Sequence, residues 1–343
     1  MSQTQPFGVD RRRPQPAGEV LAGSVSVVIA CHSEERLDQL QRCVGSALTQ
    51  DVVPREVVVA VDNNHELYRR LVAKYRANAR VRIVANEGSI GASATRNCGV
   101  RAAEGSLISF LDDDVVADPA WLRRLIAPLA DATVVGTGGA ALPQWESTKP
   151  RWFPEEFLWI VGASFKGMPR ATAEVRNVWS ENMAVRRAPF LGCGGFLEGF
   201  GKQRDVSRPE DTEMCIRFAR RSGDHWLYVP DARVEHFVPE RRSTFRFFVR
   251  RCHNEGRGKI EMKRLTHDRL TTERAYAFRT IPAAFTRNAW QALRGDVWAM
   301  SRFGAVVVGS VAALIGALQA IAFPGPQPEA VAATPPRLQS HVG

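Results

Sequence analysis

The sequence predicts an α/β fold, a mainly parallel sheet with flanking helices, followed by a C-terminal helical segment associated with a membrane. Three observations carry this. Short β-branched runs alternate with helix-compatible stretches from residue 24 onward. Three consecutive aspartates, Asp112, Asp113 and Asp114, close one of the apolar runs. Finally, residues 303–323 (FGAVVVGSVAALIGALQAIAF) form a stretch of 21 residues without a formal charge. At about 1.5 Å per helical residue that stretch matches the ~30 Å core of a bilayer.

The elements follow in order. Residues 1–23 hold Arg11, Arg12, Arg13 and little apolar content, which predicts a flexible basic arm. Residues 24–30 (SVSVVIA) read as a strand, 37–48 as a helix and 56–61 (EVVVAV) as a second strand. A polar helix over 65–79, a strand at 81–85, a helix over 92–103 and a strand at 106–111 continue the alternation. Such alternation implies parallel strands joined by helical crossovers. The chain has 343 residues, 45% hydrophobic and 24% charged, enough for a sizeable core, which excludes wholesale disorder and a small stapled scaffold. Its six cysteines are scattered with no CxxC pair, and no secretory signal pattern opens the sequence, so a reduced, cytosol-facing chain is expected.

The formal charge of +10 is regional: residues 233–302 hold 16 Lys or Arg against 7 Asp or Glu. The uncharged segment follows directly, so membrane lipids rather than nucleic acid are the expected partner of this basic stretch. The segment is rich in Ala, Val and Gly and contains Gln319. A membrane-embedded helix is predicted, with an interfacial placement left open. Positive charge on its N-terminal side places the preceding domain on the cytoplasmic face of the cell membrane. The tail at 324–343 is expected to be flexible.

Ligands of parallel sheets sit beyond the carboxyl ends of the strands. That rule selects Cys31, His32, Ser33 and Glu34 after the first strand, Asp62, Asn63 and Asn64 after the second, Asn86, Glu87, Gly88 and Ser89 after the third, and Asp112, Asp113 and Asp114 after the fourth. A single acidic residue at a strand end is often a turn former or helix cap. Three in a row repel one another, and a divalent cation that prefers oxygen ligands, Mg²⁺ or Mn²⁺, relieves that repulsion. A cation at such a place points to phosphate.

These residues resemble the glycosyltransferase family 2, with its GT-A, Rossmann-like fold. The resemblance is carried by Asp62, by the helix at 92–99 (ASATRNCG), by the strand end at 110–114 (FLDDD), by Asn182-Met183-Ala184-Val185-Arg186-Arg187, by Gly194-Gly195-Phe196 and by Glu210-Asp211-Thr212-Glu213. It spans roughly residues 25–237. Residues 150–167 (PRWFPEEFLWIVGASFKG) further resemble the branch of the family acting on polyprenyl- or dolichyl-phosphate-linked sugars.

The resemblance implies a GT-A domain over 24–240, with a nucleotide half at 24–118 and an acceptor half at 119–240, then a basic amphipathic region at 241–302. It implies a nucleotide-sugar donor, UDP-linked, held by Ala30, His32, Glu34, Asp62, Arg96, Asp112 and Asp113. Asp114 and His236 would bind the metal. Asp211 would be the catalytic base, with Glu210 orienting it or binding acceptor. Each role has a physical rationale. A departing diphosphate builds negative charge that a cation stabilises, a guanidinium such as that of Arg96 presents paired donors to phosphate, and a base must take the acceptor's proton as it attacks. Pro209-Glu210-Asp211 is equally a good helix start, and His236 is equally an ordinary structural histidine. One base and direct displacement imply inversion. Trp179, Asn182 and Gly195 are candidate acceptor contacts; Trp145, Trp152 and Trp159 either stack on sugars or fill the core.

His253 and the glycines of Asn254-Glu255-Gly256-Arg257-Gly258-Lys259 follow the basic, aromatic run at 245–251 (FRFFVRR). This stretch reads either as a phosphate-closing loop or as an amphipathic helix at a membrane. Membrane docking is favoured, with Arg250, Arg251 and Arg257 as phosphate contacts. The expected reaction is transfer of one sugar to a hydroxyl acceptor, a glycan or a polyprenyl-phosphate-linked one, in envelope or polysaccharide synthesis. The Gln-x-x-Arg-Trp signature of processive members is absent, and the first strand departs from the family's Pro-Thr-Tyr-Asn pattern. A nucleotidyltransferase would call for a Gly-rich basic loop after the first strand, and a dinucleotide oxidoreductase for GxGxxG there; neither is present. A non-enzymatic binder of membranes or nucleic acid explains the charge but leaves the three aspartates without a role.

Overall fold

In the computed structural model residues 24–203 and 206–323 are described; the arm expected at 1–23 and the tail at 324–343 lie outside them. The nucleotide half opens with β1 (Val25–Cys31), α1 (Leu37–Leu48), β2 (Glu56–Asp62), α2 (His65–Tyr75), β3 (Val81–Asn86), α3 (Ala92–Ala102) and β4 (Leu107–Asp112). These strands pair parallel in the order β3-β2-β1-β4. Alternate residues of each strand go to opposite faces. Val27, Ile29, Val57 and Val59 pack under α1 and α2, while Val28 and Val58 pack under α3.

Beyond β4 come β5 (Val115–Ala117), α4 (Trp121–Ile126), β6 (Val134–Trp145), β7 (Ala173–Val175), β8 (Asn182–Arg186), α5 (Arg187–Gly192), β9 (Lys202–Gln203), β10 (Val206–Ser207), α6 (Glu210–Ser222) and β11 (His225–Val238). The sheet continues as β4-β8-β6-β11-β5, with β7 on β11. It is mixed: β8 runs antiparallel to both β4 and β6, whereas β6 and β11 are parallel. β11 is a fourteen-residue strand, and His236 stands within it. This matters for the site. β5 pairs antiparallel with the far half of β11, setting Val115 opposite His236 and therefore Asp114 beside it.

Four further helices close the chain: α7 (Phe245–Thr266), α8 (Thr271–Ala275), α9 (Ile281–Leu293) and α10 (Ala299–Ala322). Thr244 caps α7 by accepting the Phe247 N–H at 3.2 Å. The glycines read as a possible phosphate loop lie inside α7. Gly256 is a packing glycine: a Cβ on it would stand 1.9 Å from the Ala313 carbonyl oxygen of α10. A third apolar cluster, including Phe153, Phe157, Phe248, Cys252 and Val306, fastens α7 and α10 to the segment at 153–163.

Candidate active site

Two loops and two strand ends converge at the carboxyl edge of the sheet. Asp112, the last residue of β4, is partly exposed and accepts a hydrogen bond from Arg96 Nη2 at 2.6 Å. Arg96 is buried on α3, and its Nη1 lies 3.7 Å from Glu210 Oε1 at the start of α6. Burial alone would lower the Arg96 pKa, but the charges of Asp112, Asp211 and Glu210 raise it, so the guanidinium is a fixed cation between the two halves. Its Nε and Nη1 have no hydrogen-bond partner although buried. Buried donors left unmatched are costly unless a ligand meets them.

The Arg-Asn pair of α3 has a division of labour. Asn97 donates to the Phe196 carbonyl at 2.8 Å and accepts the Phe196 N–H at 2.9 Å. Gly195, at φ +64°, could carry no side chain there, since its Cβ would fall 2.4 Å from Asn97 Oδ1. From the other side Arg217 of α6 donates to the Gly195 carbonyl at 2.6 Å and pairs with Glu213. Gly195 is therefore a hinge point joining α3 to α6, a structural role in place of the acceptor contact expected of it. That clamp sets the position of Glu210 and Asp211.

Burial, first, raises the pKa of both carboxyls. Glu210 is pushed up to about 8, the Asp211 charge adding to burial and Arg96 opposing it. Asp211 moves in the same direction despite Arg96 and a hydrogen bond from Ser180. Asp211 Oδ1 has no partner. A buried carboxylate with an uncommitted oxygen and a neighbouring acid is suited to accept a proton.

Asp113 points away from this cluster and pairs with Arg36 Nη1 at 2.7 Å. Burial lifts its pKa to about 6. Asp114 also meets Arg36, at 3.1 Å, and its Oδ1 lies 3.3 Å from His236 Nε2. For Asp114 burial acts upward, but the His236 hydrogen bond and the charges of His236 and Arg36 hold the carboxyl well below its usual range. The His236 Nδ1 donates to the Gly162 carbonyl at 2.7 Å. A carbonyl on one ring nitrogen aims the other as a metal ligand. Among the described residues no three His, Cys, Asp or Glu side chains converge on one point, which leaves Asp114 and His236 as the candidate pair of donors there. Two donors fit Mg²⁺ or Mn²⁺, which take their remaining oxygens from water and phosphate.

The rest of the predicted set is placed as follows. Asp62 Oδ2 accepts the Gly91 N–H at 2.9 Å and its Oδ1 accepts from Asn86 at 3.1 Å, so it shapes the loop that leads into α3. Ala30 pairs in register with Asp112. His32 is exposed, and its carbonyl accepts from Asn64. Glu34 is tied to Arg70 of α2 at 2.7 Å. Asn182 is a core residue: it accepts from Trp121 Nε1 and donates to the carbonyls of Ala140 and Ala232, which leaves it no reach to an acceptor.

A cavity of about 580 Å³ joins this cluster to the C-terminal helices. Arg96, Asp112, Glu210 and Asp211 line it together with Trp179, Arg251 of α7 and Leu314 of α10. Arg250 and Arg257 are not among its lining residues. Glu181 and Arg176, neither singled out from sequence, line it too, as does Lys259 of the stretch read as a possible phosphate loop. Glu181 is buried with Oε1 unpartnered, and burial pushes its pKa up to about 8. Arg176, held by Glu273 at 2.7 Å, and Lys259 supply positive charge from elements distant in sequence. Glu181 carries one legible signal, an acidic residue wedged against the apolar strand β8.

Comparison with known proteins places the family and the fold. The family model of Glycosyl transferase family 2 matches residues 26–192. A glucosyl-dolichyl phosphate glucuronosyltransferase of Haloferax volcanii is 32% identical over 254 residues, 74% of this chain and 81% of that protein. The succinoglycan biosynthesis protein ExoM of Rhizobium meliloti is 28% identical over 54% of this chain and 55% of its own length. Among solved structures, a mannosyltransferase of Pyrobaculum calidifontis, in complex with GDP-Man and Mn²⁺, superposes with a TM-score of 0.55 at 17% identity, covering 86% of this chain and 87% of that one. The mixed sheet with its flanking helices is thus a GT-A fold, and the chain belongs to glycosyltransferase family 2.

Proposed function

We propose that this glycosyltransferase moves one sugar from a UDP-linked donor to a hydroxyl of a sugar carried on a polyprenyl or dolichyl phosphate, with inversion and with a divalent cation. The observation that carries the reading is the single cavity running from Asp211 to Leu314: one wall holds the carboxylates and Arg96, another is formed by the apolar helix α10. A soluble glycan needs no such wall. The name of the Haloferax relative, a transferase acting on a dolichyl phosphate sugar, supports the same substrate class.

In this reading Asp211 takes the proton of the acceptor hydroxyl as its oxygen forms a bond to the anomeric carbon. The bond from that carbon to the diphosphate oxygen breaks on the opposite face, and its electron pair leaves with UDP. One displacement with no covalent glycosyl-enzyme inverts the anomeric centre. Arg96, with two unmatched donor nitrogens, meets diphosphate oxygens while Asp112 keeps it in place. Asp114 and His236 would hold the cation, which when bound would stabilise charge on the leaving diphosphate. In the free protein the pair holds a proton, the His236 pKa being raised to about 9 by Asp114 and Glu181 against the effect of burial. For His236 Nε2 to serve as a cation ligand, that proton would have to leave the pair. Glu181, facing the cavity with a free oxygen, accepts from a sugar hydroxyl.

Titration calorimetry with UDP and with GDP, each with Mn²⁺ and after chelation, tests the donor half. Binding of UDP that requires the cation and is lost in Asp114→Ala is expected. Equal binding of UDP with and without chelator would remove the cation from the reading, and binding of GDP alone would replace the donor. Product NMR with a short lipid-phosphate sugar then reports the anomeric configuration.

A further inference from the structure

The helix α10 is arranged the wrong way round for a soluble protein. Its inner face carries small residues, Ala305, Gly309, Ala312, Gly316 and Ala320, all buried. Its outer face carries Val307, Val311, Leu314, Ile315, Leu318 and Ile321, all exposed. The two sets repeat at helical spacing. Of the nineteen large hydrophobic side chains exposed among the described residues, fourteen lie between Phe278 and Phe323. A contiguous apolar face of this kind marks an interaction surface.

The small inner face fixes how α10 sits. A Cβ on Gly316 would fall 2.0 Å from the His253 carbonyl, and one on Gly309 would fall 2.9 Å from the Phe248 ring. His253 Nε2 and Gln319 Oε1 are 2.7 Å apart, and Arg264 donates to the Ile321 carbonyl. Phe248 thus meets the first half of α10, and His253 and Arg264 the second. The two helices run side by side in the same direction over nearly their full length.

Their partnership decides between crossing the membrane and lying on it. α7 carries nine charged residues between Arg246 and Arg264. Its other side is fixed to the catalytic domain through Met262 against Phe200 and Ile216, and through Phe248 against Phe153 and Phe157. A crossing α10 would draw those charges, and the domain behind them, into hydrocarbon, where each charge is costly. With α10 parallel to the surface, only its outer face enters the lipid, to the depth of the headgroup and acyl boundary. The basic excess at 233–302 then faces an anionic leaflet.

We propose that α10 lies in the plane of the membrane and that the active-site cavity opens beside it into the leaflet, so that a lipid-linked acceptor enters sideways with its tail still in the bilayer. Leu314 is the connecting residue: it is exposed on the outer face and also lines the cavity, as do Ala313 and Ala317 next to it. Tyr276 and Ala277 also line the cavity. The sideways entrance rests on the function proposed above; the orientation of α10 does not.

Spin labels placed singly at Val307, Val311, Leu318 and Ile321 of the full chain test the orientation, with Cys98 replaced by Ser and the other five cysteines buried. On vesicles of phosphatidylcholine with phosphatidylglycerol, the relative access of oxygen and a nickel chelate gives each label's depth. Four similar, shallow depths are expected. A profile deepest in the middle, with its ends at opposite surfaces, overturns the proposal, as does label-to-label broadening that shows a second copy covering the face. For the entrance, Ile315→Glu with Leu318→Glu, neither of which lines the cavity, is expected to lower vesicle binding and transfer to a vesicle-embedded acceptor about tenfold or more. Transfer to a short-chain, water-soluble acceptor should be kept. Equal loss with both acceptors, or loss with neither, overturns the entrance. Should the unaltered protein transfer sugar to neither acceptor, the functional reading fails while the depth profile still decides the orientation.

Discussion

Asp211 and Asn97 show how differently two polar residues of one site depend on their surroundings. Asp211 has a buried, unpartnered oxygen in the cavity, so its replacement by Asn should leave the fold intact while removing the proton acceptor. A loss of about 10² to 10⁴ in kcat is expected, measured by UDP release, with donor affinity retained in calorimetry. Because the Glu210–Asp211 pair is raised, the base becomes competent only as pH climbs through the pair's range. The kcat/KM of the unaltered enzyme should rise with pH to a plateau, a limb that Asp211→Asn lacks. Asn97 touches no expected ligand, yet its two bonds to Phe196 hold the loop before α6. Asn97→Ala should cost about 1–3 kcal/mol of stability, read from urea unfolding. The motif residues were visible in the sequence because their types are unusual at strand ends and helix starts. Glu181 and Arg176 were not, because cavity membership is set by chain segments that meet only in three dimensions.

At the scale of elements, the first four strands and three helices were legible because each obeys a simple period. β1 and β2 alternate their faces on the sheet, and α1 presents Leu40, Val44 and Ala47 at helical spacing to it. What the period could not reveal was direction: β8 enters antiparallel between β4 and β6, and nothing in its five residues distinguishes that from a parallel strand. The length of β11 was hidden by the irregularity between Val229 and Arg233, where Pro230 and Asp231 interrupt the apolar pattern. The glycines of α7 suggested a loop because glycine lowers helix propensity. Gly256 serves close approach to α10, a tertiary demand that overrides local preference. The same contact gives a sharp expectation for Gly316 of α10. A leucine there would place its Cβ 2.0 Å from the His253 carbonyl, and backbone cannot yield as a side chain tip can. Gly316→Leu should separate α10 from α7, lower the melting temperature and open the connection after α9 to limited proteolysis, whereas Leu318→Ala on the outer face should do neither.

For the whole molecule, the site is assembled at the expense of stability, and the dependence has a definite sign. Burial raises the pKa of Glu210, to about 8, and that of Asp211 in the same direction. In the unfolded chain the same groups titrate in the ordinary carboxylate range, near pH 4. Between that range and about pH 8 the folded protein holds protons at this pair that the unfolded chain has already released, so the free energy of unfolding falls as pH rises through the window. The contribution is the reverse of that made by Asp114, whose depressed pKa adds stability above the ordinary carboxylate range and loses it only in strong acid. Replacing Glu210 by Gln removes the group that must be deprotonated against burial, while its shape and the Arg96–Asp112 contact remain. The melting temperature of the free protein should therefore drop between pH 5.5 and pH 8 by more in the unaltered chain than in Glu210→Gln, with the variant the more stable of the two at pH 8 and the less active. An unaltered slope in the variant would mean that Arg96, 3.7 Å from Glu210, already keeps the carboxylate ionised in the folded state. In that case Asp211 would act beside a permanent anion, which together with burial holds its own pKa up, so the rising limb of the activity profile would persist and belong to Asp211 alone.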